Sequence, residues 1–210
     1  MPERPGSEEA GPVRLGAGDA LLVVDVQNDF LPGGALGVPA GDQVVPVLNR
    51  YIRHFLSRGL AVVFTRDWHP PKHCSFQAQG GPWPPHCVAG SEGAGFAPGL
   101  ELPAGALVVS KATGPREEAY SGFQGTALEA QLRSHGHTRL FVGGLATDYC
   151  VLATVRDARA AGFTVFVLRD ACRAVDVQPG DGLRAENEMA DLGAVPITLA
   201  SLGGEKHEQQ

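Results

Sequence analysis

No stretch of this sequence approaches the roughly 20 consecutive apolar residues that cross a bilayer, so a membrane is not an expected partner. Positive charge is scarce as well. Seventeen Lys and Arg against 23 Asp and Glu leave a formal net charge of -6. Phosphate binding needs a basic face, so nucleic acid is excluded as the main partner. The four cysteines, Cys74, Cys87, Cys150 and Cys172, form no C-x-x-C pair. In a cytosolic chain of this size that favours free thiols, one of them open to a catalytic role. The opening stretch, Met1 to Gly18, is rich in Pro, Gly and Glu and lacks the apolar centre of a secretory signal. The expected compartment is cytoplasmic.

What is present is ordinary in bulk and specific in detail. Apolar residues make up 43% and charged residues 19% of 210 residues. That suits one packed soluble domain and is marginal for two. Residues 1–18 are expected to be a loose N-terminal extension, 19–202 a single domain, and 203–210 a loose tail.

Short apolar runs alternate with helix-like periods. Strands are predicted at Ala20–Val24, Ala61–Thr65, Ala106–Ser110, Leu140–Val142, Phe163–Leu168 and Ala194–Thr198. Helices are predicted at Asp42–Ser57, Gly125–His135, Asp148–Ala161 and Gly182–Leu192. Asp42 and Thr126 are candidate caps. Asp67 to Pro103 has no sustained period and reads as a long functional loop. The alternation implies βαβ units and a mainly parallel sheet of about six strands between helical layers, a three-layer α/β/α sandwich. In such a sheet, ligands bind beyond the carboxyl ends of the strands. Asp25, Asp67, His69, Lys111 and the segment Gly143 to Cys150 all fall there.

Those residue types carry chemistry. Cys150 lies at a strand-to-helix junction, where a helix N-terminus stabilises a thiolate and offers N–H groups to an oxyanion. A buried core cysteine is an equally good reading of Cys150 alone. Asp25 can accept a thiol proton and Lys111 can stabilise the resulting anion. Asp67-Trp-His69, with His73 and His86 in the same loop, suits a divalent transition metal. Phe30, Trp68, Trp83 and Tyr120 lie in or beside these loops, and flat side chains there can sandwich a flat ring. Trp68 reads better as loop packing.

Taken together, five motifs resemble a known family. They are Asp25-Val-Gln-Asn-Asp-Phe30, Thr65-Arg-Asp-Trp-His-Pro70, Trp83-Pro-Pro-His-Cys-Val88, Tyr120-Ser-Gly-Phe123 and Gly144-Leu-Ala-Thr-Asp-Tyr-Cys-Val151. In this order they resemble nicotinamidases, also called pyrazinamidases, within the isochorismatase-like hydrolases, over about Ala20 to Leu199. The resemblance implies the isochorismatase-like fold and hydrolysis of nicotinamide to nicotinate and ammonia in NAD salvage, with pyrazinamide as a further substrate. It implies a catalytic triad of Asp25, Lys111 and Cys150 acting through a thioester. It implies oxyanion donors at Ala146 and Cys150, a cis peptide between Leu145 and Ala146, and ring contacts from Phe30 and Trp83, with Tyr120 added as a substrate-binding candidate. It also implies one divalent metal ion on Asp67, His69 and His86, zinc first, with iron or manganese admitted.

Two features depart from the pattern. Ala112 follows Lys111 where relatives often carry glycine, which predicts a different course for that loop. His73 matches a position that ligates metal in some relatives only, so it stays outside the core ligand set. The partner expected is the small molecule nicotinamide, and a homo-oligomer is allowed. The competing readings are a sister hydrolase of another small amide or N-carbamoyl compound, an inactive binding relative, and a dinucleotide-binding protein. The last requires G-x-G-x-x-G after the first strand, where this chain has Val26-Gln-Asn-Asp-Phe30.

Overall fold

A computed structural model describes residues 12–202. The parts of the expected extension and tail at 1–11 and 203–210 lie outside the described residues. Six strands form the sheet: β1 (Asp19–Val24), β2 (Ala61–Asp67), β3 (Leu107–Lys111), β4 (Arg139–Leu145), β5 (Thr164–Arg173) and β6 (Val195–Ile197). All are paired in parallel, in the order β3-β2-β1-β4-β5-β6. The helices are α1 (Val44–Leu56), α2 (Leu128–Ser134), α3 (Leu152–Ala160) and α4 (Asp181–Asp191). The predicted α/β class and the parallel sheet between helical layers are borne out.

The central strand shows why the layers form. Every residue of β1 is buried, in the sequence Asp-Ala-Leu-Leu-Val-Val. Successive side chains leave a strand on opposite faces. Ala20, Leu22 and Val24 therefore join one core with Leu128, Leu132, Val155 and Met189 of α2, α3 and α4. Leu21 and Val23 join another with Leu48, Ile52 and Phe55 of α1. A continuous apolar run is what a strand covered on both sides needs.

Some boundaries differ from expectation. Asp42 does not cap α1: Gly41–Gln43 forms a 3-10 turn, and α1 starts at Val44 without a side-chain cap. Thr126 is not the cap residue of α2, which is Ala127, although its Oγ1 accepts the N–H of Leu128 at 3.2 Å. β4 runs on through Gly143 and Gly144 to Leu145, with a shift of register against β5 between Val142 and Gly144. Near the start of the described chain, Val13 pairs with Leu202, and both Val13 and Leu15 pack on the α1 side of the core.

The strand order reverses between β1 and β4. Chain order runs outward through β2 and β3 on one side and through β5 and β6 on the other. Such a reversal opens a crevice at the carboxyl ends of the two inner strands. This order is shared with dinucleotide-binding folds, so the chemistry has to be read from the residues at the crevice. Among the described residues no helix is long and apolar enough to cross a membrane.

Candidate active site

β1 is followed at the crevice by Asp25, which takes a left-handed backbone at φ 47°. Its N–H donates to the Thr65 carbonyl at 3.2 Å, and Thr65 Oγ1 donates to Asp25 Oδ1 at 2.6 Å. Lys111 closes β3. Parallel register makes it the partner of Asp67, the last residue of β2, so the two side chains share a face. Lys111 Nζ lies 2.9 Å from Asp25 Oδ2, pairs with Asp67, donates to the Ala119 carbonyl at 3.1 Å and reaches Cys150 Sγ at 3.6 Å. Ligand atoms of Asp25, Asp67 and Cys150 all lie within 4.8 Å of one another. The structure thus brings Asp25, Lys111 and Cys150 into one buried cluster.

Cys150 sits in a π-helical turn, Thr147–Val151, between β4 and α3. The turn follows a cis peptide between Leu145 and Ala146. Gly144, at φ 135°, is what lets β4 pass so close to β1. A Cβ there would lie 2.0 Å from the Val24 carbonyl oxygen. A carboxylate bound to an ammonium occupies the end of β1, where a dinucleotide phosphate would need a glycine turn.

Burial sets the electrostatics. It lowers Lys111, but Asp25 and Asp67 outweigh that and hold its pKa well above the ordinary value. It raises the Cys150 thiol well above its usual range against the pull of Lys111. It also raises Asp25 against the same pull. Burial pushes Asp67 up too, yet the Lys111 ammonium more than offsets it and holds this carboxylate low. The cluster therefore rests as an ammonium beside a neutral thiol, with Asp25 a stronger base than a free carboxylate.

The second cluster shares Asp67. Single ligand atoms from Asp67, His69 and His86 lie within 4.8 Å of one another, and all three residues are buried. His69 Nδ1 faces the Ala112 carbonyl at 3.2 Å and His86 Nδ1 faces the Pro84 carbonyl at 2.8 Å. A carbonyl only accepts, so each Nδ1 carries the proton and each Nε2 keeps a lone pair. His69 Nε2 is buried without a hydrogen-bond partner. Burial lowers the pKa of His86 and favours its neutral form. Two imidazoles and a carboxylate, with one orphaned nitrogen among them, fit a divalent transition metal.

His73 is engaged otherwise. It stacks on His69, and its two ring nitrogens meet Ser75 Oγ at 2.7 Å and the Glu117 carbonyl at 2.9 Å. Ala112 itself adopts φ 51°, a conformation glycine favours. Alanine at this position thus does not bar a left-handed turn, and its carbonyl orients His69.

A cavity of about 300 Å³ opens onto both clusters. That is near the lower end of small-ligand sites, ~300–1,000 Å³. Phe30, Val38, Trp83, Tyr149 and Val175 form apolar walls, and Asp67, His86 and Cys150 reach into it. Phe30 and Trp83, the expected ring contacts, both line it. Tyr120 does not line the cavity. Its hydroxyl accepts the indole N–H of Trp83 at 2.9 Å, so it braces the wall from behind. Trp68 lies under the Arg66 guanidinium, 3.6 Å from the ring centre, away from the cavity. Tyr149 was not expected here. It packs edge-on to Trp83 at 5.5 Å, and its place next to Cys150 in the sequence was the available signal.

Residues 19–201 match the model of the isochorismatase domain. The chain belongs to the isochorismatase family. The resemblance read from the five motifs is borne out. The nicotinamidase of Escherichia coli (strain K12) is 46% identical over 202 residues, spanning 86% of this chain and 95% of that protein. The crystal structure of the pyrazinamidase of Pyrococcus horikoshii in complex with zinc superposes with a TM-score of 0.83 at 49% identity, covering 87% of this chain and 99% of that one. PnC1 from L. infantum in complex with nicotinate gives a TM-score of 0.85 at 37% identity, covering 92% and 100%. Within this family the chain is an amide-hydrolysing enzyme, and its pocket decides which amide it takes.

Proposed function

We propose that this protein hydrolyses nicotinamide to nicotinate and ammonia, in NAD salvage, and takes pyrazinamide as well. The observation that carries the reading is convergence. Cys150 and two candidate metal ligands, Asp67 and His86, border one cavity with aromatic walls, and Lys111 pairs with Asp25 beside the thiol. Phe30 and Trp83 suit the faces of a flat ring. The relatives named for nicotinamidase and pyrazinamidase activity support the choice of substrate.

The reaction runs in two halves. Asp25 takes the thiol proton, Cys150 Sγ bonds to the amide carbon, and the carbonyl becomes an oxyanion received by the N–H groups of Ala146 and Cys150. Lys111 stays charged and offsets the anion. As the C–N bond breaks, Asp25 returns its proton to the departing nitrogen, which leaves as ammonia. Water then adds to the thioester, Asp25 takes a proton from it and hands that proton to sulfur as the C–S bond breaks, giving the free thiol and nicotinic acid, which ionises to nicotinate. Asp67, His69 and His86 would hold the metal, zinc first, which supplies a Lewis-acid anchor for a ring nitrogen and so orients the amide toward sulfur.

Ammonia release from nicotinamide by the purified protein tests this. Turnover that falls with a chelator and returns with zinc is expected. No release from nicotinamide or pyrazinamide by the zinc-loaded protein would overturn the reading.

A further inference from the structure

The segment Asp25–Phe30 supplies a candidate base at one end and a cavity wall at the other. Of the three polar side chains between them, Asn28 donates to the Glu92 carbonyl at 2.7 Å, while Gln27 and Asp29 touch neither a reacting group nor a ligand atom. Both point at the backbone of the candidate metal loops.

Gln27 has no exposed surface. Its amide Nε2 donates to the carbonyls of Asp67 and Ala94, each at 2.9 Å, and its Oε1 accepts the Asp67 N–H at 2.8 Å. The side chain therefore grips both polar groups of the Asp67 backbone, as a neighbouring strand would. Asp67 is at the carboxyl end of β2, where the regular ladder with β1 has ended. Three bonds in a dry site restrict where its carboxylate can swing.

Asp29 performs the same service on the other side. Its Oδ2 accepts the Cys87 N–H at 2.7 Å, the peptide that follows His86. Cys87 itself has φ 45°, so this turn is not one the chain relaxes into unaided. The carboxylate is also boxed in. A Cβ at Gly93 would come within 2.2 Å of Asp29 Oδ2.

We infer that Gln27 and Asp29 are positioning residues for the metal site, Gln27 fixing Asp67 and Asp29 fixing His86 through Cys87. This rests on the metal reading above. A segment without a ligand of its own thereby sets the spacing between ligands from two separate stretches of chain. Outer partners of this kind typically tune metal affinity by about 10–100-fold.

The test is zinc affinity, measured by competition with a chelating dye, on wild type, Gln27→Met, Asp29→Ala and Asp29→Asn, each confirmed folded by its melting curve. Gln27→Met and Asp29→Ala should bind zinc about 10–100-fold more weakly. Asp29→Asn keeps an oxygen for the Cys87 N–H and should stay within about 3-fold of wild type, a rescue that a general loss of packing would not give. Folded Gln27→Met and Asp29→Ala proteins with wild-type affinity would overturn the inference, as would Asp29→Asn binding no better than Asp29→Ala. Should Gln27→Met fail to fold, the Asp29 pair decides. Wild-type protein that binds no zinc would instead sink the metal reading itself.

Discussion

Asp67 and Lys111 are register partners at the ends of adjacent parallel strands, and their side chains meet in a buried ion pair. One ammonium is thus shared between the carboxylate beside the thiol, Asp25, and a carboxylate of the candidate metal set. The two halves of the site are one electrostatic unit.

Lys111→Met should therefore damage the fold as well as the chemistry. Removing one partner of a buried ionic group leaves charge uncompensated, at a cost of about 3–5 kcal/mol. In a domain of this size that lowers the melting temperature by roughly 6–20 °C. A calorimetric scan showing no change would refute the shared-ammonium picture.

Cys150→Ala is expected to behave in the opposite way. It removes a thiol from a site whose other members keep their partners, so the melting temperature should hold within a few degrees. Ammonia release should fall by about 1,000-fold or more, as loss of a nucleophile does elsewhere. Wild-type turnover by this variant rules out the covalent scheme.

Metal removal should report on both stability and activity. A ligand that binds only the folded state stabilises it by mass action. Zinc added to chelator-treated protein should raise the melting temperature in a concentration-dependent way and restore turnover. Identical melting curves with and without zinc would count against a site at Asp67, His69 and His86.

Much of this was legible in the sequence for a simple reason. Strands buried on both faces are written as short apolar runs, and the reactive residue types sit just after them. Asp25 after Val24 and Lys111 after Ser110 show this directly. Direction in space was not legible. Tyr120 belongs to the right loop, but only the folded chain shows its hydroxyl turned to Trp83 rather than to the cavity. The sequence ends the fourth strand at Val142, yet β4 continues through Gly143 and Gly144 to Leu145, because at Gly144 close approach to Val24 is what requires a residue without a side chain. Asp42 looked like a cap because its type and place fit, but a 3-10 turn intervenes.

Tyr120→Phe follows from that hydroxyl. The change leaves the ring and removes the partner of the Trp83 N–H, worth about 0.5–1.5 kcal/mol. KM for nicotinamide should rise about 2–10-fold with kcat within about 2-fold. An unchanged KM would mean that Trp83 holds its place without help.

Gly144→Ala is the most severe single change expected outside the reacting groups. Its Cβ would collide with backbone that cannot swing aside, at a positive φ that alanine resists. The loss should be roughly 2–4 kcal/mol, read as a lowered denaturant midpoint. A midpoint equal to wild type would show that β4 can move away from Val24.

The cavity walls come from Phe30 and Val38, from Trp83 and His86, from Ala146 to Cys150, and from Val175. A contiguous fragment has to run from Phe30 to Val175 to contain them all. A nascent chain on the ribosome has made its thiol, its carboxylates and its imidazoles long before it has made the last wall. Competence to enclose a substrate therefore arrives late in synthesis, when the segment beyond β5 has emerged and folded back across the turn that carries Cys150.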